Sequence, residues 1–183
     1  MVGAVEIRPL TREDDRSRFS CGEPALDRFF QHYAGQNQFK LRLAVTYVAV
    51  LDGEIAGFAT VSAGSVERLQ MPGEGARRRL PAYPLPVVRL ARMGVAKSVQ
   101  RRGLGGDLLQ HVLRLALAQR DTVGCLGVLA DAKPGAVAFY ERLGFQALEG
   151  AREGRVHGGP VAVFLGIDVI AAAAASPGRR PRF

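Results

Sequence analysis

The stretch that decides the fold is LARMGVAKSVQRRGLGGDLL, residues 90–109. Its first residues form an apolar run typical of a strand, and its last residues have the apolar spacing of a helix. Between the two lies a glycine-rich turn, QRRGLGG, at residues 100–106. The first turn of a helix has unpaired backbone N–H groups and a partial positive charge. Because glycine lets a phosphate approach the backbone closely, this turn predicts an anion-binding site.

Two common phosphate motifs do not match this turn. The dinucleotide fingerprint G-x-G-x-x-G fails because Leu108 stands where the third glycine belongs. The nucleoside-triphosphate loop ends in G-K-S/T, whereas this turn ends in Gly106-Asp107. A glycine-rich turn that merely starts a helix stays open as an alternative. The glutamine and the two arginines that precede the glycines favour phosphate binding.

Strand patterns recur along the rest of the chain. They lie at residues 5–8, 44–51, 54–62, 87–95, 125–130, 145–148 and 161–168. The pair Asp52-Gly53 separates two of these runs and predicts a hairpin. The last two runs predict a second hairpin around a glycine-rich loop. Residues 67–86 predict a long loop or a short extra helix.

Helical patterns alternate with these strands. They begin after Glu23 and cover residues 104–119 and 134–143, with Gly144 as the stop of the last one. The first helix is expected to bury four residues at helical spacing: Leu26, Phe29, Phe30 and Tyr33. Hairpins mixed with crossovers predict an α/β (α+β) fold, a mixed sheet with helices on both faces rather than a doubly wound parallel sheet.

Length and composition set the class of protein. A chain of 183 residues predicts one domain with its own core, which we assign to residues 1–170. The Ala/Arg/Pro-rich residues 171–183 are expected to form a disordered tail. With 48% hydrophobic and 23% charged residues, the chain is neither collagen-like nor intrinsically disordered. Cys21 and Cys125 are too few for a disulfide framework or a zinc site, and no metal site is expected.

Targeting signals are not expected. The N-terminus lacks the basic and apolar regions of a secretory signal. The longest apolar stretch, residues 161–175, contains Asp168 and is shorter than the roughly 20 residues that a membrane span needs. We therefore expect a cytoplasmic protein with no membrane partner.

The positive charge is concentrated in one part of the chain. The formal net charge is +8. Residues 67–120 hold ten Arg and one Lys against three acidic residues, so they carry the whole excess. Such a balance predicts an anionic partner, namely a nucleotide cofactor, a nucleic acid or a membrane surface.

Two motifs resemble those of a known family. QRRGLG, residues 100–105, resembles the Q/R-x-x-G-x-G/A loop that holds the coenzyme A pyrophosphate in the GNAT acyltransferases. AFYERLGF, residues 138–145, is similar to their F-Y-E-x-x-G-F signature, with a helix and a strand between the two motifs. The resemblance implies the GNAT fold, with a mixed sheet of about six to seven strands and a splayed coenzyme A cleft.

Four shorter segments narrow the resemblance to the GNAT toxins of type II toxin–antitoxin systems. They are FSCGEPALDRFF at residues 19–30, QNQ at 36–38, RLAR at 89–92 and DAK at 131–133. In most GNAT enzymes, an Asn at this position helps to hold coenzyme A. This chain has Lys133 there instead, as the toxin-like branch does. The resemblance implies acetylation of the α-amine of aminoacyl-tRNA, a ribbon-helix-helix antitoxin and a homodimer.

The resemblance also implies roles for particular residues. Tyr140 would act as general acid for the coenzyme A thiolate in a direct transfer, its alternative being a core aromatic. A backbone N–H of the strand before the turn, around Met93 to Val95, would face the oxyanion, its alternative being an ordinary paired strand. Residues expected to bind acetyl-CoA are Met93, Gly94, Val95, Gln100, Arg101, Arg102, Gly103, Leu104, Gly105, Gly106, Lys133 and Phe139.

Five arginines are candidates for contacts with tRNA phosphates. Instead of binding tRNA, the consecutive arginines Arg77, Arg78 and Arg79 could simply lie in a solvated loop. For Arg89 and Arg92, the alternative to a tRNA contact is an ion pair with a Glu or Asp of a neighbouring element. His32, His111 and His157 receive no role. No strong base is evident, and an α-amine with a pKa of about 8 is partly neutral without one.

Two other functions stay open. The acceptor is alternatively a small amine, an antibiotic or a protein N-terminus. The chain is alternatively a non-catalytic nucleic-acid-binding or regulatory module with the same fold. The intact turn and Tyr140 count against the second of these, and the arginine-rich segment favours tRNA over the first.

Overall fold

A computed structural model of the chain describes residues 4–148, 150 and 159–176. The strands in this part are β1 (Glu6–Pro9), β2 (Val45–Leu51), β3 (Glu54–Val66), β4 (Leu85–Val95), β5 (Gly127–Ala132), β6 (Gln146–Ala147) and β7 (Val161–Gly166). The α-helices are α1 (Pro24–Arg28), α2 (Glu74–Arg79), α3 (Leu104–Thr122), α4 (Val137–Arg142) and α5 (Ile167–Ala174). Two π-helical turns, Phe29–Tyr33 and Gln36–Lys40, follow α1.

The strands form one mixed sheet in the order β1-β2-β3-β4-β5-β7-β6. β2 is antiparallel to β1 and β3, and β7 is antiparallel to β5 and β6. This confirms the predicted fold class. The described residues fall into two compact units: the chain up to Ser62 with Leu90–Val112, and Ala63–Arg89 with the chain from Leu113 onward. The single domain at residues 1–170 and the splayed cleft stay predictions.

The turn between β2 and β3 is the predicted hairpin. Asp52 and Gly53 have φ values of +52° and +83°, and the flanking Leu51 and Glu54 pair across the ladder. Two central residues with positive φ define a type I′ turn, whose twist matches that of the strands. Asp-Gly supplies this conformation at low cost, so a local pair of residues fixes the pairing next to the turn, up to the register shift between Ala49 and Val50.

Helices cover both faces of the sheet in the first unit. The ring of Tyr47 on β2 lies 4.5 Å from the ring of His111 on α3. The next residue, Val48, is fully buried in the cluster that contains Phe30 from the first π-helical turn. Successive side chains of a strand point to opposite faces. The N-terminal helical segment and α3 therefore lie on opposite sides, as predicted.

Aromatic rings form the core under the N-terminal helical segment. Phe30 stacks on Phe58 of β3 with ring centroids 4.3 Å apart, and Phe19 meets both rings edge-on at 4.8 and 5.5 Å. A Cβ at Gly94 of β4 would lie only 2.9 Å from the Phe58 ring. Glycine at this position therefore lets the strand pass directly against the aromatic cluster.

A side-chain hydrogen bond to a helix carbonyl explains the π-helical turn after α1. The Arg16 Nε–H donates to the carbonyl of Phe30 at 3.0 Å, and Gly35 leaves room for this guanidinium. The Ala34 N–H bonds to the carbonyl of Phe29, five residues earlier. This wider turn rotates the helix face, so Tyr33 is 42% exposed and the prediction that it is buried is wrong. Leu26, Phe29 and Phe30 are buried, as predicted.

The second unit contains the predicted C-terminal hairpin. Ala147 of β6 pairs with Val163 of β7, and Phe164 joins Leu129 and Leu148 in a buried cluster. Gly144 ends the preceding helix with a φ of +89°, as predicted. Most of the glycine-rich loop between the strands, including His157, lies outside the described residues.

The end of the chain differs from its prediction. β7 ends at Gly166 instead of residue 168, and residues 171–174, assigned to the disordered tail, belong to α5. The buried side chain of Ile170 anchors α5. The helix also contains a run of alanines, and alanine has the highest helix propensity. The tail from residue 177 lies outside the described residues. No helix within residues 4–148, 150 and 159–176 is long and apolar enough to cross a bilayer.

Phe58→Ala is expected to lower the free energy of unfolding by about 3–5 kcal/mol, because it removes the ring on which Phe19 and Phe30 pack. Leu43→Ala is the control, since Leu43 is 62% exposed, and its effect should stay within about 0.5 kcal/mol. Urea denaturation monitored by circular dichroism measures both. Equal effects of the two substitutions would contradict this account of the core.

Candidate active site

The predicted anion-binding turn lies at the N-terminus of α3. A short 3₁₀ turn, Lys97–Val99, follows β4, and α3 begins at Leu104. The first N–H to bond within the helix is that of Asp107, which donates to the Gly103 carbonyl at 3.1 Å. The N–H groups of Leu104, Gly105 and Gly106 therefore have no acceptor inside the helix. They can bind an anion, favoured by the positive end of the helix dipole.

The backbone of this turn forms an open cradle. Gly103 has a φ of +88°, and a Cβ there would meet no atom within 4 Å. Gly105 has ordinary φ, and a Cβ there would touch only Val95, at 3.8 Å. Arg101 adopts a φ of +63°, which is uncommon for a residue with a side chain and belongs to the strained conformations that cluster at functional sites. The backbone at Gly103 and Gly105 is therefore open to the close approach of a phosphate group.

Positive side chains flank the cradle. Arg101 and Arg102 are exposed and have no hydrogen-bond or ion-pair partner within the described part of the chain. Their guanidinium groups are therefore available to an anionic ligand, and Arg can bind phosphate oxygens in a bidentate manner.

The side chain of Gln100 is engaged by the protein itself. Its Nε2 donates to the carbonyl of Cys21 at 2.8 Å and to the carbonyl of Val95 at 2.9 Å. An amide NH₂ has two hydrogens, so both are used. The sequence motif predicted a cofactor-binding position here but gave no sign of these partners, because Cys21 is 79 residues away in the chain.

Met93, Gly94 and Val95 form the last part of β4. Gly94 is buried against the ring of Phe58 and the Sγ of Cys21, so packing alone accounts for a glycine at this position. The N–H that would face an oxyanion stays a prediction for these three residues.

Tyr140 lies in the second unit, on α4. Its ring is 6% exposed and meets the rings of Phe139 and Phe145 edge-on, each at 5.2 Å. Burial, and then the negative charge of Asp131, raise the pKa of Tyr140 to about 12. The phenol is thus firmly protonated at neutral pH. This packing fits a core aromatic, and it also fits an acid that must keep its proton until it is needed.

Arg89 and Arg92 have different surroundings. The Nε of Arg89 donates to a carboxylate oxygen of Asp131 at 3.2 Å, and its Nη2 forms a second, shorter bond to the same oxygen. The ion-pair alternative is thus confirmed for Arg89. Arg92 has a ring as its neighbour: its guanidinium carbon lies 4.6 Å above the centre of Phe29, a cation–π contact that leaves the charge uncompensated.

The three consecutive arginines lie on α2, in the second unit. Arg78 forms an exposed ion pair with Glu74, and the Nε of Arg79 donates to the carbonyl of Gly75 at 3.2 Å. These two side chains fit the solvated alternative. Arg77 has no hydrogen-bond or ion-pair partner among the residues that the structure describes.

Lys133 follows the end of β5 and is half-buried. Its carbonyl accepts a hydrogen bond from the Ala136 N–H at 2.8 Å, which closes the 3₁₀ turn before α4. Its role toward a cofactor stays a prediction.

Known proteins are similar to this chain in both sequence and fold. Residues 42–147 match the model of the acetyltransferase (GNAT) domain. The chain is 33% identical over 147 residues to a tRNA-acetylating toxin of Mycobacterium tuberculosis, which covers 80% of this chain and 87% of that protein. The chain belongs to the GNAT acetyltransferase family. It is therefore an acyltransferase, as predicted, and resembles the toxin type within that family.

Solved structures agree with this GNAT assignment. AtaT complexed with acetyl-methionyl-tRNAfMet has a TM-score of 0.81 and 25% identity, covering 93% of this chain and 99% of that one. AtaTR bound with acetyl-CoA has a TM-score of 0.73 and 25% identity, covering 93% and 98%. Acetyl-CoA is the cofactor of this GNAT enzyme, which confirms the cofactor prediction.

Gly103→Ala and Gly105→Ala should affect acetyl-CoA binding differently. An alanine at a φ of +88° is strained by about 1–2 kcal/mol, so the free turn of Gly103→Ala should leave this conformation, and regaining it should weaken acetyl-CoA binding about tenfold. The dissociation constant of Gly105→Ala should stay within about threefold of the wild-type value, because there is space for a Cβ and the family motif accepts Ala at this position. Isothermal titration calorimetry measures both dissociation constants. Similar affinities for the two variants would contradict the proposed cradle.

Proposed function

We propose that this acetyltransferase transfers acetyl to the α-amine of aminoacyl-tRNA and so blocks translation as a toxin. The observation that carries this proposal is the 33% identity to a tRNA-acetylating toxin over 80% of the chain. The related AtaT structure with acetyl-methionyl-tRNAfMet supports the same class of acceptor. Such a substrate places the protein in the cytoplasm.

The residues around the α3 N-terminus hold the cofactor in this proposal. The N–H groups of Leu104, Gly105 and Gly106 bind the diphosphate, together with Arg101 and Arg102. The backbone of Met93, Gly94 and Val95 aligns the pantetheine arm and supplies the oxyanion N–H, and Lys133 and Phe139 complete the set. The bound acetyl-CoA supplies an activated acetyl thioester.

Tyr140 is the general acid in this proposal. Its phenol keeps a proton at neutral pH because burial and the charge of Asp131 raise its pKa to about 12. It donates that proton to the departing sulfur, in a direct transfer that forms no acetyl-enzyme, and the proton that the acylated nitrogen loses returns through water to the phenolate. The α-amine has an ordinary pKa of about 8, so a fraction is neutral and nucleophilic without a strong protein base.

The arginines separate into stronger and weaker candidates for tRNA contacts. Arg77, Arg79 and Arg92 keep a charge that no acidic side chain among the described residues neutralises, and of these three only Arg79 donates to a carbonyl, that of Gly75. Arg78 and Arg89 already pair with Glu74 and Asp131. Phosphate contacts position a nucleic acid and make its binding salt-dependent, so Arg77 and Arg92 are the better choices for such contacts.

Tyr140→Phe should lower kcat about 10²-fold or more while leaving the affinity for acetyl-CoA and the thermal stability nearly unchanged. The ring packing is kept and only the proton donor is lost. Tyr83→Phe is the matched control, because Tyr83 is 61% exposed, and it should behave as wild type. Because the pKa of Tyr140 is about 12, the wild-type rate should show no loss from phenol ionisation below about pH 11. Retention of full kcat by Tyr140→Phe would remove Tyr140 from the mechanism.

Cell-free translation tests the acceptor. With the protein and acetyl-CoA, translation should stop, and it should resume after charged tRNA is replenished. Protein with free coenzyme A is the control and should have no effect. Continued translation, with acetyl transfer to a small amine or a peptide N-terminus instead, would overturn the tRNA proposal in favour of the alternative acceptors.

The proposed toxin requires a neutralising partner. We expect a ribbon-helix-helix antitoxin, encoded in the adjacent reading frame, and a homodimeric toxin. Co-purification of the two proteins, followed by light scattering of the toxin alone, tests both expectations.

A further inference from the structure

Residues 19–27, which we call the N-terminal clasp, contact the cofactor turn within the first unit. The clasp begins with Phe19 and ends with Asp27 in the first turn of α1. Its apolar side chains Phe19, Cys21 and Leu26 are buried in the aromatic core. Burial raises the pKa of Cys21 to about 11, so this thiol is a neutral packing group. The clasp is therefore anchored independently of any ligand.

Asp27 fixes the backbone in the middle of the clasp. Its Oδ1 accepts the Cys21 N–H at 2.7 Å, and its Oδ2 accepts the Ser20 hydroxyl at 3.0 Å. Burial opposes the charge on this carboxylate, but the hydrogen bonds from Cys21 and Ser20 together hold its pKa below the usual value. The ionised side chain thus orients the peptide group between Ser20 and Cys21, to which the Ser20 carbonyl belongs.

The carbonyls of the clasp then hold the cofactor turn. The Ser20 carbonyl accepts the Lys97 N–H at 3.0 Å, and the Cys21 carbonyl accepts one hydrogen of the Gln100 amide at 2.8 Å. Gly22 has a φ of +91°, and a Cβ there would lie 2.8 Å from Cε of Lys97. The two segments are in direct contact, and the positive φ of Gly22 favours glycine there, whereas the flexible end of the Lys97 side chain could move aside.

The position of this contact along the chain gives it a role in binding. Arg101, with a φ of +63°, follows Gln100 directly, and the cradle glycine Gly103 comes two residues later. Ordering the residues of a free loop costs conformational entropy. A turn that is fixed before the ligand arrives avoids that loss at binding.

We propose that Asp27 and Gln100 are positioning residues for coenzyme A: through the clasp they hold residues 97–103 in the conformation that receives the diphosphate. The side chain of Gln100 contacts no phosphate, because both hydrogens of its amide are spent on the carbonyls of Cys21 and Val95. This inference rests on the cofactor site at α3 and does not depend on the identity of the acceptor.

Asp27→Ala and Gln100→Leu test the proposal by calorimetry with acetyl-CoA, in the absence of any acceptor. Each variant should raise the dissociation constant about tenfold. Asp27→Asn keeps an oxygen for the Cys21 N–H and should recover most of the affinity. The matched control is Asp15→Ala, which removes a similar hydrogen bond, from the Ser17 N–H at 2.9 Å, outside the clasp. This control should bind acetyl-CoA as the wild type does.

Two further readouts separate positioning from a general structural loss. Hydrogen exchange of the Lys97 N–H, measured without cofactor, should accelerate about tenfold in Asp27→Ala and Gln100→Leu. In assays with any amine that the enzyme acetylates, the KM for acetyl-CoA should be higher in both variants than in the wild type. The KM for S-acetylpantetheine, which lacks the diphosphate, should be unchanged, and kcat should change little.

Wild-type affinity for acetyl-CoA in folded Gln100→Leu would overturn the proposal, as would an equal loss for S-acetylpantetheine. If Asp27→Ala does not fold, the affinity of Gln100→Leu for acetyl-CoA and its KM for S-acetylpantetheine decide the outcome. A failure of the tRNA proposal alone would leave the calorimetric result intact, so the two failures are distinguishable.

Discussion

The two hydrogen bonds of the Gln100 side chain join the parts of the first unit on which the cofactor site depends. One amide group bonds to Cys21 in the N-terminal clasp and to Val95 at the end of β4. The chain then turns through Arg101 and Gly103 into α3, with φ values of +63° and +88°. The N-terminal clasp, which is distant in sequence, thus meets the end of β4 at this turn. The free N–H groups at the start of α3 owe their position to this junction.

Close packing around β4 supports the same junction. Gly94 lets β4 lie against Phe58 and Cys21, where a Cβ would be 2.9 Å from the Phe58 ring. On β3, a Cβ at Gly57 would be 3.0 Å from Leu108 of α3 and 3.1 Å from the Gly94 carbonyl. Interiors this dense transmit small displacements because they contain little free volume. The orientation of the α3 N-terminus is therefore set by glycines in two strands as well as by those in the turn.

Local signals in the sequence predicted much of this arrangement, and long-range contacts account for what they missed. Asp52-Gly53 fixed a hairpin because a two-residue turn needs only its own residues. Tyr33 was misplaced because Arg16, far from it in the chain, takes a helix carbonyl and produces a π-helical turn. Cys21, one of the two partners of Gln100, lies 79 residues away, and Asp131, the partner of Arg89, lies 42 residues away; periodicity does not indicate such pairs. The residue types of the site were predictable, but the division between groups that bind and groups that hold the loop was not.

A crystal structure of the protein with coenzyme A tests the central claim most directly. The account predicts diphosphate oxygens about 3 Å from the N–H groups of Leu104, Gly105 and Gly106. It also predicts that Gln100 still bonds to the Cys21 and Val95 carbonyls, with the clasp unchanged from the cofactor-free protein. A diphosphate bound elsewhere, or a Gln100 side chain that leaves both carbonyls to contact a phosphate, would contradict it.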